Sequence, residues 1–132
     1  MVPTVPAWNE YKTTARDRGA LAFELFVVES LPSASPEEMK VTLPAHLTYQ
    51  AQIEASGHLF LAGPLSDDTG EHMSGGGLMI YRSASMEEAR SIAEADPMHA
   101  EGKRSFKIRK WLVNEGSPSF GTALSTGAVK LL

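Results

Sequence analysis

The chain has 132 residues, of which 42% are hydrophobic and 21% charged, a composition that is ordinary for a single soluble globular domain. The net charge of −4 disfavours a nucleic-acid surface, and the absence of cysteine excludes thiolate catalysis and Cys-ligated zinc. No apolar stretch approaches the roughly 20 residues of a membrane helix, and the start Met1-Val2-Pro3 lacks the features of a signal peptide. We therefore expect a soluble cytoplasmic protein that has neither nucleic-acid nor membrane partners.

The first 20 residues contain two prolines and no clear periodicity, which predicts an N-terminal arm held in place by Trp8 and Tyr11. From Leu21 to Val28 the chain is apolar at both alternating sets of positions, and only Glu24 interrupts the run. This pattern is typical of a strand that is covered on both faces. The folded domain is therefore expected to begin at residue 21.

A helix start is predicted at Ser35-Pro36, because serine is a good N-cap and proline fits the first helical position. Pro44 is expected to break or kink this helix, since proline removes a backbone donor. The pattern from Ala45 to Ala55 is helical again and places His46 on the apolar stripe. Gly57 then ends the helix.

The second predicted strand, His58 to Leu65, ends at the corner Gly63-Pro64. A polar loop follows from Ser66 to Gly76. Its length of about ten residues exceeds that of a usual hairpin connection, so it is a candidate lid. The third strand is predicted from Gly77 to Arg82 and is again apolar on both faces.

A capping box, Ser85-Met86-Glu87-Glu88, predicts the second helix, which should end at Asp96-Pro97 because proline disfavours helical geometry in the residue before it. Ser105 to Val113 is the fourth predicted strand. The domain is thus expected to cover residues 21–114. Residues 115–132 have no strong pattern, which predicts a disordered tail or an arm that packs on a neighbouring subunit.

The order strand, helix, strand, strand, helix, strand predicts an α+β, ferredoxin-like βαββαβ fold with a four-stranded antiparallel sheet. Both helices would cover one face of the sheet, so the opposite apolar face predicts a homodimer that packs sheet to sheet. In this topology the end of strand two, the start of helix one and the end of helix two share an edge. His46 and Asp96 are therefore expected to face each other near Gly63-Pro64.

Five motifs occur in a characteristic order: Leu43-Pro44-Ala45-His46-Leu47, Gly57, Leu61-Ala62-Gly63-Pro64-Leu65, a Gly-rich strand, and Glu94-Ala95-Asp96-Pro97-Met98-His99-Ala100-Glu101-Gly102. Their order and spacing resemble the YciI-like (YCII-related) family over roughly residues 21–114. The resemblance implies a dimeric α/β barrel and an active-site histidine and aspartate, which correspond to His46 and Asp96. It does not imply one reaction, because most members have no assigned activity, although dehydrochlorination of a chlorinated hydroxyquinol is known in the family.

A histidine beside a carboxylate can act as a general base whose tautomer the carboxylate fixes. Our hypothesis is that His46 moves a proton on a small organic ring or carbonyl compound while Asp96 orients it. Such a cofactor-independent reaction would be of the lyase, isomerase or dehalogenase type. A structural interpretation stays open, in which Asp96 caps the turn before Pro97 and His46 is a core histidine.

Four further residues are candidates for substrate binding. Gly63 and Pro64 end the second strand, where backbone can approach a ligand closely. His99 and Arg104 follow Asp96 closely, and a cation there would bind a carboxylate or phenolate, although solvated charges before a strand are the structural alternative. No metal is predicted, since His46 and Asp96 alone make a poor metal site. The rival to an enzyme is a non-catalytic ligand-binding or accessory protein that uses the same cleft.

Overall fold

The structure, a computed structural model, describes residues 4–132. Met1-Val2-Pro3, where we expected no export signal, lies outside the described residues. The chain forms two compact units: one is Glu24–Trp111, and the other combines the chain up to Phe23 with Leu112–Leu132. The domain boundaries that we placed at residues 21 and 114 stay a prediction.

The predicted βαββαβ order is present and is flanked by further elements at both ends of the chain. The elements are α1 (Trp8–Asp17), β1 (Phe23–Pro32), α2 (Pro36–Ala55), β2 (Leu59–Ser66), β3 (Met73–Tyr81), α3 (Met86–Ala95), α4 (Pro97–Ala100), β4 (Arg104–Val113), β5 (Phe120–Thr122) and β6 (Val129–Leu131). The main sheet has four strands in the order β2-β3-β1-β4, and β3 pairs antiparallel with both β1 and β2. The predicted ferredoxin-like α+β fold with a four-stranded antiparallel sheet is confirmed.

Helix α2 runs without interruption through Pro44, so of the break or kink that we predicted there, the break is wrong. The helix starts as expected, with Ser35 Oγ accepting a hydrogen bond from the Glu38 amide at 3.2 Å. Thr42 and Ile53, which lie on either side of Pro44, are buried. Packing therefore holds both halves of the helix in place, because tertiary contacts supply most helical stability and outweigh the bond that proline removes.

The connection between β2 and β3 is shorter than predicted. Ser66 pairs with Met73, so the loop consists of residues 67–72 rather than 66–76. Asp67 Oδ1 accepts hydrogen bonds from the amide and the hydroxyl of Thr69 at 3.0 and 2.6 Å, which forms a local turn. The loop thus forms a turn of its own at the end of the hairpin made by β2 and β3.

Helix α3 has the predicted ends. Ser85 Oγ accepts a hydrogen bond from the Glu88 amide at 3.1 Å, and Asp96 leaves the helical region with ψ at 124° before Pro97. Between the sheet and the helices lies the main core, made of Phe26, Val28, Ile53, Leu59, Met79, Tyr81, Ala89 and Ala93.

The unit that contains both chain ends has structure that the sequence patterns missed. Residues Trp8–Asp17 form a helix where we predicted an irregular arm. Trp8 and Tyr11 pack against a small cluster that contains Ala15, which gives this helix an apolar stripe at helical spacing. Residues 115–132, which we predicted to be a disordered tail or an arm on a neighbouring subunit, contain the hairpin β5–β6, in which Phe120 pairs with Leu131. The disordered alternative is therefore wrong, and the arm stays a prediction.

No helix among residues 4–132 is long and apolar enough to cross a membrane.

Candidate functional site

His46 and Asp96 meet, as the topology predicts. His46 Nδ1 lies 2.8 Å from Asp96 Oδ1 and 2.9 Å from Oδ2. A carboxylate accepts hydrogen bonds and donates none, so Nδ1 carries the proton that it donates. The neutral ring consequently has its lone pair on Nε2.

The helices at which Asp96 and His46 lie determine the positions of these two residues. Asp96 has no exposed surface and separates α3 from α4, where its Oδ1 also accepts a hydrogen bond from the Met98 amide at 3.0 Å. It therefore caps α4 and orients His46 at the same time, which unites the two interpretations of this residue. His46 lies in the middle of α2 rather than near a helix start, because the helix continues through Pro44.

The imidazole of His46 faces a cavity of about 530 Å³. Its side chain is 19% exposed, and Nε2 makes no hydrogen bond with any described residue. All six residues that the sequence predicted for the site line this cavity: His46, Asp96, Gly63, Pro64, His99 and Arg104. The structure thus places these six residues at one cavity, while their roles in catalysis and substrate binding stay predictions.

A second polar cluster lines the same cavity and centres on Ser30. Ser30 Oγ lies 2.8 Å from His99 Nε2, and Arg104 donates to Ser30 Oγ through Nε at 2.9 Å. His99 Nδ1 lies 2.7 Å from the carbonyl oxygen of Ala93, which can only accept, so this nitrogen carries the proton. In the neutral ring Nε2 then accepts from the Ser30 hydroxyl.

Burial determines the charge states in this cluster. It lowers the pKa of His99 below the ordinary 6.5, and the hydrogen bond to Ala93 and the charge of Asp96 oppose this effect only in part. Burial also lowers the pKa of Arg104, but a guanidinium keeps its charge at neutral pH. His99 is thus the neutral member of the cluster and Arg104 the cationic one.

Two tyrosines near Asp96, the buried Tyr81 and the partly buried Tyr49, are held in their neutral form. Burial raises the pKa of Tyr49, and the negative charge of Asp96 raises it further. The pKa of Tyr81 is raised by burial, then by the charge of Asp96 and then by Tyr49. Tyr49 donates its hydroxyl proton to the carbonyl oxygen of Ile92 at 2.7 Å, so it supports the backbone of α3.

The sequence patterns missed Ser30 and Gly75, which lie near Arg104. The predicted first strand ended at Val28, whereas β1 continues to Pro32 and includes Ser30. Gly75 adopts a left-handed conformation with φ at 88°, and its carbonyl oxygen accepts from Arg104 Nη2 at 2.6 Å. The signal that could have identified Ser30 was its position as a polar residue in the continuation of an apolar strand. A polar residue that is buried in this way needs hydrogen-bond partners.

Among residues 4–132, no group of three or more His, Cys, Asp or Glu side chains is placed to hold a metal ion. The facing atoms of this pair, His46 Nδ1 and Asp96 Oδ1, are hydrogen-bonded to each other.

Comparison with known proteins places the chain in a family. The YCII-related domain model matches residues 22–112. An uncharacterised protein, YjpA of Bacillus subtilis, is 33% identical over 66 residues, which are 50% of this chain and 71% of YjpA. A solved structure of 5-chloro-2-hydroxyhydroquinone dehydrochlorinase from Burkholderia phenoliruptrix, in complex with 2,5-dihydroxybenzoquinone, is 20% identical with a TM-score of 0.49, covering 66% of this chain and 92% of the enzyme. The match to the domain model spans most of the chain, which therefore belongs to the YCII-related family.

Proposed function

We propose that this protein is a small enzyme that transfers a proton on a small organic ring or carbonyl compound without a cofactor, with His46 as the general base. The observation that carries the proposal is the contact of His46 Nδ1 with both oxygens of a fully buried Asp96, which leaves Nε2 available in the cavity. Catalysis of this kind needs a base whose lone pair points at the substrate and whose charged form is stabilised.

The proposed step begins when His46 Nε2 takes a proton from a carbon or oxygen atom of the substrate. The electron pair of the broken bond stays on the substrate and is delocalised into its ring or carbonyl group. Asp96 stabilises the imidazolium that forms, through the same hydrogen bonds at 2.8 and 2.9 Å. Return of the proton to another atom gives an isomerase, and departure of a halide or another leaving group with its electron pair gives a dehalogenase or lyase.

The second candidate function is a non-catalytic ligand-binding or accessory protein that uses the same cavity. Leu47 and Met73 line the cavity and are nevertheless 57% and 69% exposed, so part of its wall is open to solvent. An open wall suits a binding protein, because an enzyme usually excludes water from the reacting atoms. The pairing of His46 with Asp96 favours the enzyme.

We also propose that the protein is a cytoplasmic homodimer. Leu61 and Leu65 on β2 and Trp111 on β4 are large apolar side chains that are exposed in the single chain. β2 and β4 are the two edge strands of the sheet, and large apolar side chains that are exposed on a surface indicate a contact with another chain. Sedimentation analysis would reveal a monomer if this proposal is wrong.

Incorporation of deuterium from heavy water tests the enzyme. A panel of hydroxyquinols, lactones and small keto acids is incubated with the protein, and exchange of their carbon-bound hydrogens is followed by NMR. We expect one class to exchange, and His46→Gln to slow this exchange by about a hundredfold or more. His58→Gln is the matched control, because His58 bonds to Ser56 and Glu88 and does not line the cavity. Equal exchange by wild type and His46→Gln would refute the proposal.

A further inference from the structure

The cavity beside His46 extends along most of α2. This helix contributes six residues to the cavity wall: Met39, Leu43, His46, Leu47, Gln50 and Glu54. Their spacing places them on one face of the helix, which is the face that looks into the cavity. At roughly 1.5 Å of rise per residue, the distance along the helix axis from Met39 to Glu54 is about 22 Å.

The opposite wall has a similar length. Strand β3 lines the cavity from Met73 to Met79, a stretch of about 20 Å at roughly 3.3 Å per residue. Strand β2, which pairs with β3, adds Ala62, Gly63 and Pro64. A volume of about 530 Å³ over this length corresponds to a mean cross-section of roughly 25 Å². Such a cavity suits an unbranched chain and is narrow for a branched ligand.

The two ends of the cavity differ. At one end Arg104 bridges the walls, since its Nη2 donates to the carbonyl oxygen of Gly75 at 2.6 Å and its Nη1 lies 3.7 Å from the sulfur of Met39. Burial lowers the pKa of Arg104, and the negative charge of Asp96 opposes this effect. The cation thus interacts with an anion of its own chain, so a ligand need not be charged. At the other end Glu54 is exposed, and the cavity opens to solvent.

Between these ends the wall is mainly apolar, and His46 lies in the middle of it. His46 is about 10 Å along the helix axis from Met39 and about 12 Å from Glu54. The apolar side chains of the wall are Leu43, Leu47, Leu59, Met73, Met79 and Met98. His46 therefore faces the middle of a ligand that fills the cavity, and apolar wall lies on both sides of the reacting atoms.

We infer that the cavity binds linear aliphatic carbonyl compounds, with the unbranched chain along α2 and the carbonyl group inside the chain, next to His46. The inference names a substrate class for the proposed function and rests on it for the reaction, whereas the fit of the chain depends on the cavity alone. Each buried methylene increases the affinity by about fourfold. A chain that fills the cavity thus binds much more tightly than a compact ligand that fills only its middle.

Two isomeric ketones test the shape of the ligand. Nonan-5-one and 2,6-dimethylheptan-4-one have the same formula and a central carbonyl group, but only nonan-5-one is unbranched. Calorimetry with the wild-type protein should show about tenfold tighter binding of nonan-5-one, because the branches of its isomer are not buried in a narrow cavity. Equal or tighter binding of the branched isomer, or no binding of either ketone at millimolar concentration, would overturn the inference.

A series of linear ketones tests the length of the cavity. Heptan-4-one, nonan-5-one and undecan-6-one differ by two methylenes at each step. We expect the affinity to rise by about tenfold at each step, since both added methylenes enter apolar wall. An affinity that is the same for all three ketones would contradict the inference.

A variant of Gln50 tests where the chain lies. Gln50 lines the half of the cavity beyond His46, and its Oε1 is buried without a hydrogen-bond partner among residues 4–132. Gln50→Leu removes this unpaired acceptor, so the fold should be retained, and it adds apolar wall. We expect severalfold tighter binding of undecan-6-one and unchanged binding of heptan-4-one. Gln52→Leu is the matched control, because Gln52 is exposed on α2 and does not line the cavity. Unchanged binding of undecan-6-one by Gln50→Leu would show that the chain does not lie there.

Deuterium exchange separates this inference from the proposed function. In heavy water the wild-type protein should accelerate exchange of the hydrogens next to the carbonyl group more in nonan-5-one than in nonan-2-one, whose carbonyl lies near the chain end. Preferential binding of linear ketones without any exchange would refute the enzyme and leave the chain site intact. Exchange on another class of compound, without a preference for linear over branched ketones, would refute the chain site alone.

Discussion

Replacing Asp96 with asparagine tests how the buried carboxylate controls His46. The amide oxygen can take the place of Oδ1 and still accept from the Met98 amide, as Oδ1 does at 3.0 Å. The amide nitrogen then replaces Oδ2, which lies 2.9 Å from His46 Nδ1. Nδ1 would then meet the amide oxygen at 2.8 Å and the amide nitrogen at 2.9 Å. Because this oxygen already accepts from the Met98 amide, we expect the amide nitrogen to donate to Nδ1 and the ring to move its proton to Nε2.

The magnitude follows from the bonds that change. One charge-assisted hydrogen bond is lost, which would cost about 1.5–3 kcal/mol, and removal of a fully buried charge offsets part of that cost. We therefore expect a loss of about 1–2 kcal/mol in the free energy of unfolding. The effect on proton transfer should be larger, about 10⁴-fold by analogy with the same replacement in a catalytic triad, because Nε2 no longer has a lone pair.

Urea unfolding and nitrogen NMR of His46 measure the two effects separately. Glu88→Gln is a suitable control, since Glu88 pairs with His58 at 3.2 Å in an exposed pair that contributes little to stability. An Asp96→Asn protein that keeps the Nδ1 proton of His46 and exchanges deuterium at the wild-type rate would refute the reasoning.

Two further predictions concern stability. Burial lowers the pKa of His99 in the folded state below the ordinary 6.5, so the unfolded chain binds a proton that the folded chain does not, and the free energy of unfolding should fall as the pH falls through 6.5. Urea unfolding above and below this pH should show a smaller fall in His99→Gln, and an identical fall would contradict the assignment. Pro44→Ala should raise the free energy of unfolding by up to about 3 kcal/mol, because alanine restores the missing backbone donor in an exposed stretch of α2. Ala45→Gly, a destabilising change at the next exposed position, is its control, and an unchanged urea midpoint for Pro44→Ala would show that the proline is accommodated without cost.

Local chemistry predicted the ends of the helices well. Ser35 and Ser85 cap α2 and α3 through the amides three residues later, and Pro97 ends α3 at Asp96. These features depend on neighbours in the sequence, so the sequence is sufficient to find them. Helix α1 shows the limit of this approach, because its stripe of Trp8, Tyr11 and Ala15 was present among polar residues and was not recognised.

The sequence by itself determined the fold class, since the order of strands and helices follows from local patterns. It also predicted that His46 and Asp96 face each other, and they do, although His46 lies in the middle of α2 and not at the helix start from which the pairing was argued. Only the tertiary structure decided that α2 continues through Pro44, because packing on both sides outweighs a local preference. It also decided what surrounds Arg104. Ser30 pairs with Gly77 on β3, and this register brings Ser30 and Gly75 within reach of a side chain on β4. Contacts between strands that are distant in the sequence depend on register, which single-residue patterns do not encode.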